Sequence, residues 1–355
     1  MGRRILVTGL DSFWGARFAA ALETESGIDT ILGMGTGAPP VALERTEYVK
    51  ADQSYSLVSR IVRATAVDTI VHTFLVVDST TMSSRKLHEA NVIGTMNLLA
   101  AAGAPGSSVR QLVVKSSTLY YGSSARDPQC FSEETGPVQR PRTSLERGIA
   151  EVEALVHDFW LDNPEVGVTV LRFANVLGSD ISTPITRNLG KGVLPVIAGF
   201  DPLMQFVEEG DVVRALEMVT LRQLPGVYNV AGEGALPWSE VARIAGARRL
   251  YLPPVMTSRF AAPLRRMGLI ELPSEYLDLL RFGRGVDNRK LVERGFRYDF
   301  TSAGAVQSFT RARRLRRAVG GSLPRYSYEA DVEAFFKHSP SVVRDPRPSG
   351  VGADS

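Results

Sequence analysis

Two glycines and a serine follow the first predicted strand at a spacing suited to holding a phosphate group. Gly9, Ser12 and Gly15 lie in the segment TGLDSFWG, between the apolar run Arg4–Thr8 and a predicted helix. Such a turn brings backbone N–H groups and the positive end of the helix to a pyrophosphate. Ser12 replaces the usual middle glycine, and Asp11 adds a carboxylate near the phosphates. We expect a nucleotide to bind here; a purely structural turn is the alternative.

The end of the second predicted strand carries no side chain that would select between NAD and NADP. Proteins that bind NAD commonly place an acid there for the ribose hydroxyls, and those that bind NADP an arginine nearby. Here residues 33–37 read GMGTG, so the preference stays open, with NAD the preferred of the two. Asp52 could bond an adenine; a helix N-cap or a turn aspartate is the alternative. Phe13, Trp14 and Thr73 are further predicted cofactor contacts.

The chain before about residue 178 alternates short apolar runs with helical patterns. This alternation predicts a parallel sheet with crossover helices between its strands, and the mostly apolar runs are typical of strands buried on both faces. The predicted strands are Arg4–Thr8, Thr30–Gly33, Glu47–Lys50, Thr69–Thr73, Gln111–Ser116 and Val168–Phe173. The predicted helices are Trp14–Glu25, Glu89–Ala102 and Arg147–Asp162.

Glycine and proline become more frequent after residue 178, which indicates a change of architecture. We expect residues 1–178 to form a dinucleotide-binding domain, to which later strands could contribute. Residues 179–337 are expected to form a smaller substrate lobe over the carboxyl edge of the sheet, where open α/β sheets bind ligands. Residues 338–355 are polar and rich in proline and glycine, which predicts a disordered tail.

Composition makes several classes of function less expected. The net charge is +3 over 355 residues, and the basic residues are dispersed along most of the chain, which disfavours nucleic acid as a partner. Four scattered histidines and a single cysteine predict no metal site. The segment LPWSEVARIAGARRL resembles a helix-turn-helix signature, but core packing is the favoured interpretation. No secretory signal or membrane span is visible, so we expect a cytoplasmic protein.

An ordered series of motifs carries a family resemblance. The motifs are TGLDSFWG, Asp52, VDTIVHTF, NVIGTMNLL, KSSTLYYG and RFANVLG, followed by QFV, DVV, GVYNV and GF. Together they resemble the extended short-chain dehydrogenase/reductase family, specifically the NAD-dependent epimerase/dehydratase group that includes UDP-glucose 4-epimerase. The resemblance covers roughly residues 3–300. It implies a Rossmann-type doubly wound parallel sheet with a smaller C-terminal α/β lobe, a bound NAD or NADP, a nucleotide-sugar and commonly a homodimer.

The resemblance also implies roles for single residues. Ser117 matches the family's catalytic serine, which bonds the reacting sugar oxygen, and Asn91 matches an asparagine that holds the site. The family's tyrosine, followed four residues later by a lysine, is missing, because no tyrosine of this chain has a lysine at that spacing. With Glu151 as the anchor, Thr143 takes the tyrosine position and Arg147 the lysine position, where it could still hold ribose hydroxyls.

The missing pair weakens the expected chemistry. A phenol with a pKa of about 10 can be activated by a neighbouring cation, whereas the aliphatic hydroxyl of Thr143 is a poor proton shuttle. General acid–base catalysis contributes about a hundredfold to ten-thousandfold in rate. The candidate replacements are Tyr121, Tyr120 and Glu146. Packing over the nicotinamide or substrate is the alternative for Tyr121, and a solvent-facing position is the alternative for Glu146.

Three functions therefore stay open. The first is an NAD(P)-dependent epimerase, dehydratase or related oxidoreductase that acts on a nucleotide-sugar with atypical acid/base residues. The second is a catalytically inactive dinucleotide-binding protein that serves as a sensor or a partner-binding module. The third is a DNA-linked regulator of redox state. A serine nucleophile at Ser117 is rejected, because no histidine–acid pair stands at an identifiable spacing.

Overall fold

The computed structural model describes residues 2–319 and 339–343. The strands, in chain order, are β1 Arg3–Thr8, β2 Ile28–Gly35, β3 Thr46–Lys50, β4 Thr69–His72, β5 Gln111–Ser117, β6 Gly167–Phe173, β7 Asn175–Leu177, β8 Val193–Ile197, β9 Leu203–Met204, β10 Phe206–Glu208, β11 Gly226–Val230, β12 Leu236–Pro237 and β13 Arg248–Leu252. The helices are α1 Phe13–Leu22, α2 Tyr55–Thr65, α3 Ser84–His88, α4 Gly94–Ala102, α5 Ser144–Asp162, α6 Pro184–Lys191, α7 Glu209–Leu221, α8 Trp238–Ala245, α9 Thr257–Arg266, α10 Ser274–Phe282, α11 Arg289–Glu293 and α12 Ser302–Val319.

Seven parallel strands form the central sheet in the order β11-β6-β5-β4-β1-β2-β3. The six strands predicted from the apolar runs are all present, with ends that differ by a few residues. Both faces of the sheet are covered by helices, which is why the strands read as apolar runs rather than as alternating patterns. The prediction of a Rossmann-type doubly wound fold is confirmed.

The seventh strand comes from beyond the predicted domain boundary at residue 178. β11 pairs with β6 at the edge of the sheet, and the apolar face of α7 packs beneath the same region. The sheet therefore draws strands from both sides of residue 178, as the prediction of later contributions allowed. The chain crosses between the sheet and the smaller lobe more than once.

Helices lie on the two faces of the sheet in separate groups. The apolar sides of α2, α4 and α5 share one core with β4 and β5, and α1 and α7 share another with β1 and β6. The helix predicted at Glu89–Ala102 begins earlier, at Ser84, and contains a π turn at Glu89–Ile93 that joins α3 to α4. Such turns are frequent at functional sites.

The smaller lobe is an α/β structure with its own core around Trp238, Phe206 and Leu279. β8 pairs with β13 and β9 with β12, and the two-stranded pair β7–β10 connects the lobe to the sheet. The segment that resembles a helix-turn-helix forms α8 followed by β13, not two helices. The core-packing interpretation of that segment agrees with the buried Trp238 and Val241.

The described part of the predicted tail differs from the expectation of disorder. Ser339 and Ser341 are buried, and the Val343 N–H donates to the Ala64 carbonyl at the end of α2 over 2.6 Å. The carbonyl of Ser341 accepts from the Arg4 guanidinium. Hydrogen bonds to the sheet domain thus hold residues 339–343, while the rest of 338–355 lies outside the described residues. In the described part of the chain, no helix is long and apolar enough to cross a bilayer.

Candidate functional site

A cleft of about 290 Å³ lies at the carboxyl edge of the sheet, against the smaller lobe. Its walls come from the turn after β1, the loop after β4, the end of β5 and the segment after β6 that runs into the lobe, with Tyr276 and Arg284 from farther along the lobe. The lining residues that matter here are Ser12, Phe13, Trp14, Thr73, Asp78, Lys115, Ser117, Asn175, Asp180, Tyr276 and Arg284. The sheet therefore opens a ligand site at the edge where folds of this kind bind nucleotides.

The turn after β1 has the shape that its glycines predict. Gly9 adopts a left-handed backbone with φ +74°, which a residue with a side chain rarely adopts. A Cβ at Gly15 would lie 2.3 Å from the Gly9 carbonyl oxygen, so only glycine allows α1 to start this close to β1. Ser12 caps α1, and its Oγ accepts from the Gly15 N–H at 3.2 Å. Phe13 and Trp14, in the first helical turn, face the cleft as expected.

Asp11 does not point at the phosphate side of the turn, which differs from the expectation. Its Oδ2 accepts hydrogen bonds from the Thr36 N–H at 3.0 Å, the Thr36 hydroxyl at 2.9 Å and the Gly37 N–H at 3.1 Å. These donors follow β2. The Asp11 carboxylate therefore lies at the end of β2, where NAD-binding proteins commonly have an acid for the ribose and this sequence has none. The helix N-terminus is left open, and the turn fits a dinucleotide.

Thr73 and Asn91 support the cleft wall that follows β4. The Thr73 hydroxyl donates to the Thr8 carbonyl at 2.7 Å, which ties β4 to β1 beside the turn. The Asn91 amide makes two bonds to Val76, accepting from its N–H at 2.9 Å and donating to its carbonyl at 2.8 Å. Asn91 is buried and does not line the cleft, so it holds a wall residue rather than a ligand. A direct cofactor contact at Asn91 stays a prediction.

Asp52 is exposed at the end of β3, ahead of α2. Its carboxylate accepts from the Ser54 N–H at 3.1 Å, a turn interaction at the start of that helix. The N-cap of α2 is Ser54, so Asp52 lies in the turn two residues before that cap. An adenine contact at Asp52 stays a prediction.

The end of β5 brings Lys115 and Ser117 into the cleft. Ser117 is nearly buried, and its Oγ accepts from the Leu119 N–H at 3.2 Å, which leaves the hydroxyl hydrogen free to donate. Lys115 is 2% exposed, and burial lowers the pKa of its amine to about 8. Sequence reasoning placed Ser117 but overlooked Lys115. The available signal was a lysine inside an otherwise apolar strand.

Neither Thr143 nor Arg147 lines the cleft, and this corrects the alignment anchored on Glu151. Thr143 caps α5 by accepting from the Glu146 N–H at 3.2 Å. Arg147 is exposed, with its guanidinium 3.4 Å from the Ser144 hydroxyl. Glu151 is also exposed, 3.5 Å from His88. These positions share the outer face of α5, because they repeat every four residues.

The inner face of α5 carries a different set with the same spacing. Glu153 is buried and binds the Arg172 guanidinium at 2.6 Å, while the Ser116 hydroxyl donates to it at 2.5 Å. The residues one and two turns before it are Ile149 and Leu145, both packed in the apolar core. The inner face therefore holds Leu145, Ile149 and Glu153, which are each two residues after Thr143, Arg147 and Glu151. Neither of the two residues before the glutamate on this face can exchange a proton.

The three candidate replacements are engaged elsewhere. Tyr121 stacks on Phe131, and its hydroxyl lies 2.8 Å from Asn229 Oδ1 and 2.8 Å from the Arg172 guanidinium. Burial raises its pKa to about 12, although the Arg172 charge acts in the opposite direction. The Arg172 guanidinium lies over the Tyr120 ring at 3.9 Å. Neither tyrosine lines the cleft, so Tyr121 packs in the core rather than over a ligand.

Glu146 is buried, not solvent-facing as the alternative expected. Its Oε2 accepts from the N–H groups of Arg142 and Thr143, each at 2.9 Å, and so completes the N-terminal cap of α5. Its carboxylate has a structural role at that position and is absent from the cleft wall.

A phenylalanine at position 121 tests the structural role of that tyrosine. We expect Tyr121→Phe to lower the free energy of unfolding by about 1–3 kcal/mol, because buried polar partners lose their hydrogen bonds. Dinucleotide affinity should stay within twofold of the parent protein. Urea denaturation and calorimetric titration measure the two effects. A large loss of dinucleotide affinity with unchanged stability would instead show that Tyr121 contacts the ligand.

Two polar groups from distant segments complete the cleft, and sequence reasoning missed both. Asp78 pairs with Arg187 at 2.8 Å, which links the loop after β4 to α6. Arg284 is buried, its Nη1 donates to the Thr118 carbonyl at 2.8 Å, and its Nε has no hydrogen-bond partner among the described residues. Burial lowers the pKa of Arg284 to about 10. It still carries a positive charge at neutral pH beside Ser117.

Comparison with known proteins gives both sequence matches and shared folds. A model described as the NAD dependent epimerase/dehydratase family matches residues 5–231. An uncharacterised protein of Mycobacterium tuberculosis (strain ATCC 25618 / H37Rv) is 30% identical over 317 residues, which are 88% of this chain and 84% of that protein. A UDP-glucose 4-epimerase from Yersinia pestis is 31% identical over 111 residues, 30% of this chain and 31% of its own length.

Solved structures share the fold at lower identity. A UDP-glucose 4-epimerase from Thermotoga maritima with UDP-glucose has a TM-score of 0.68 at 18% identity, covering 88% of this chain and 99% of that chain. DesIV, a dTDP-glucose 4,6-dehydratase from Streptomyces venezuelae with NAD and TYD bound, has a TM-score of 0.67 at 21% identity, covering 89% and 98%. The sequence match spans most of the sheet domain, and the ordered motifs occupy the predicted elements. The chain belongs to the NAD dependent epimerase/dehydratase family of extended short-chain dehydrogenases/reductases.

Proposed function

We propose that the protein binds a nicotinamide dinucleotide and a nucleotide-sugar in the cleft and acts as an epimerase, a dehydratase or a related oxidoreductase. The observation that carries this proposal is the continuous wall from the turn at Ser12 to the hydroxyl of Ser117. The turn residues Gly9, Ser12 and Gly15 would hold the dinucleotide, with Thr73 beside them. When bound, this cofactor supplies the site that accepts and returns hydride.

Ser117 is the residue we assign to the substrate oxygen. Its Oγ already accepts one hydrogen bond and can donate its hydrogen to an oxygen that gains negative charge during the reaction. Arg284 lies in the same cleft and would favour an anionic ligand such as a nucleotide-sugar diphosphate. Asp11 would favour NAD over NADP, because its carboxylate at the end of β2 repels a ribose phosphate.

A second candidate function is a dinucleotide-binding protein without turnover. The observation that favours it is the inner face of α5, where Leu145 and Ile149 lie ahead of Glu153. Neither of these two apolar side chains can take a proton from a hydroxyl. The enzyme needs another residue or a water molecule to transfer the proton, whereas the binding protein does not.

Turnover in a Ser117→Ala variant tests the first candidate. Loss of one donor at a charged transition-state oxygen typically reduces kcat by about a hundredfold or more. The parent protein and the variant would be mixed with NAD+ or NADP+ and a panel of UDP- and TDP-sugars, and product would be followed by chromatography. Ser56→Ala, at an exposed position of α2, is the matched control and should leave turnover unchanged.

The outcomes separate the candidates. Turnover that falls in Ser117→Ala and persists in Ser56→Ala supports the enzyme. Dinucleotide binding without any turnover supports the binding protein and contradicts the enzyme. Failure of both NAD+ and NADP+ to bind the parent protein contradicts both.

A further inference from the structure

Lys115 is a buried cation that faces the cleft without a protein counter-charge. It lies on β5 among apolar neighbours, with 2% of its surface exposed. Within the described part of the chain its amine forms no hydrogen bond or ion pair; its one specific contact is with Trp14, whose ring centroid lies 5.6 Å from Nζ. Long cationic side chains are almost never this buried unless paired. The missing partner is therefore expected to be a ligand.

The charged groups around Lys115 do not supply that partner. His72, on the neighbouring strand β4, has its pKa lowered to about 4 by burial and by the Lys115 charge, so it is neutral near pH 7. Asp180, across the cleft, lies 3.6 Å from the Arg17 guanidinium. Asp78 pairs with Arg187. Burial without an offsetting carboxylate is what lowers the pKa of Lys115 to about 8.

The position of the amine points to the N-terminal end of α1. Trp14 belongs to the first turn of that helix, and both it and Lys115 line the cleft beside Ser12. Ser12 Oγ already accepts from the Gly15 N–H, so one backbone donor of the helix N-terminus is engaged within the protein. A diphosphate at this turn would thus meet fewer free N–H groups than the usual glycine pattern provides. A cation beside the turn would restore the attraction.

We propose that Lys115 is the counter-charge for the diphosphate of the bound dinucleotide, reaching it from β5 beside the start of α1. The assignment rests on the proposed function, because it needs a dinucleotide in the cleft. It gives the phosphate site a lysine from within the sheet, in addition to the backbone donors of the turn. Lys115 takes no part in covalent chemistry in this role.

Protonation makes the proposal measurable. A nearby anion favours the charged amine and raises its pKa above the value in the free protein. Binding at pH 8, where the free amine is about half protonated, should therefore take up about half a proton per ligand. At pH 6 the amine is already charged and uptake by this group vanishes. Dinucleotide affinity should fall as the pH rises through 8, because an increasing part of the binding free energy is used to protonate the amine.

Isothermal titration calorimetry with NAD+ at pH 8, in buffers of different ionisation enthalpy, measures the proton uptake directly. For the parent protein we expect uptake of about half a proton. Lys115→Met should bind about ten- to a hundredfold more weakly, without that uptake, since a charge-assisted contact is lost. Lys115→Arg should retain more affinity and also lose the uptake, because a guanidinium stays charged throughout. Lys86→Met, exposed on α3, is the control and should behave like the parent.

The outcomes distinguish this proposal from the proposed function. If the parent protein binds neither NAD+ nor NADP+, the proposed function fails. If NAD+ binds and Lys115→Met keeps the same affinity and proton uptake, the Lys115 assignment fails alone. If UDP causes the uptake and NAD+ does not, Lys115 serves the other diphosphate and the assignment is overturned. Thermal unfolding of each variant verifies folding, and Lys115→Arg keeps the proton-uptake test decisive if Lys115→Met is unstable.

Discussion

Replacing Glu153 by leucine is expected to lower the free energy of unfolding by about 3–5 kcal/mol, the usual cost of removing one partner of a buried ion pair. Glu153 and Arg172 are both more than nine-tenths buried, and their side chains meet at 2.6 Å. Burial alone would lower the pKa of Arg172, but the charge and hydrogen bonds of Glu153, together with Tyr121, raise that pKa above its usual value. Without Glu153 the guanidinium keeps its charge in the protein interior, and the Ser116 hydroxyl loses its acceptor.

Glu151→Leu is the matched control for this experiment. Glu151 lies two residues earlier on the same helix and is exposed, so its replacement should change stability by no more than about 0.5 kcal/mol. Urea denaturation followed by circular dichroism compares the two variants. Adding Arg172→Met to Glu153→Leu should recover part of the loss, because the uncompensated charge is gone. Equal effects at positions 151 and 153 would favour the register that places Thr143 and Arg147 at the site.

Introducing alanine at Gly15 is expected to weaken dinucleotide binding at least about a hundredfold, which corresponds to about 2.7 kcal/mol. The added Cβ would lie 2.3 Å from the Gly9 carbonyl oxygen and 2.9 Å from Thr73 Oγ1. Backbone must therefore move, and it moves in the turn that presents N–H groups to the phosphates. Overpacking of this kind also destabilises a fold by about 1–3 kcal/mol.

Gly27→Ala supplies the comparison for Gly15→Ala. No heavy atom lies within 4 Å of a Cβ built at Gly27, so this alanine should be tolerated. Calorimetric titration with NAD+ and NADP+ measures affinity, and thermal unfolding verifies that the variants are folded. A folded Gly15→Ala protein with the parent's affinity for both dinucleotides would show that the ligand does not sit at this turn.

The α5 register shows where sequence reasoning reached its limit. Glu151 and Glu153 stand two residues apart. The family places its glutamate four residues after the lysine, and because this chain lacks the lysine, either glutamate could be the match. Only packing separates them, because Glu153 faces Arg172 of β6 and Glu151 faces solvent. Local periodicity describes a helix but does not by itself state which face meets the sheet. An amphipathic helix with charges on both faces leaves that choice to tertiary contacts.

The amino-acid sequence alone determined the parallel sheet, the turn at Gly9 and Gly15, and the place of Ser117 at the end of β5. These features depend on residue types within a few positions of one another, so short-range sterics and periodicity predict them. The tertiary structure decided the orientation of Asp11 toward Thr36, the isolation of Lys115 and the return of β11 to the sheet. Those features depend on contacts between segments far apart in the chain, and a local sequence pattern does not predict the free energies of such contacts.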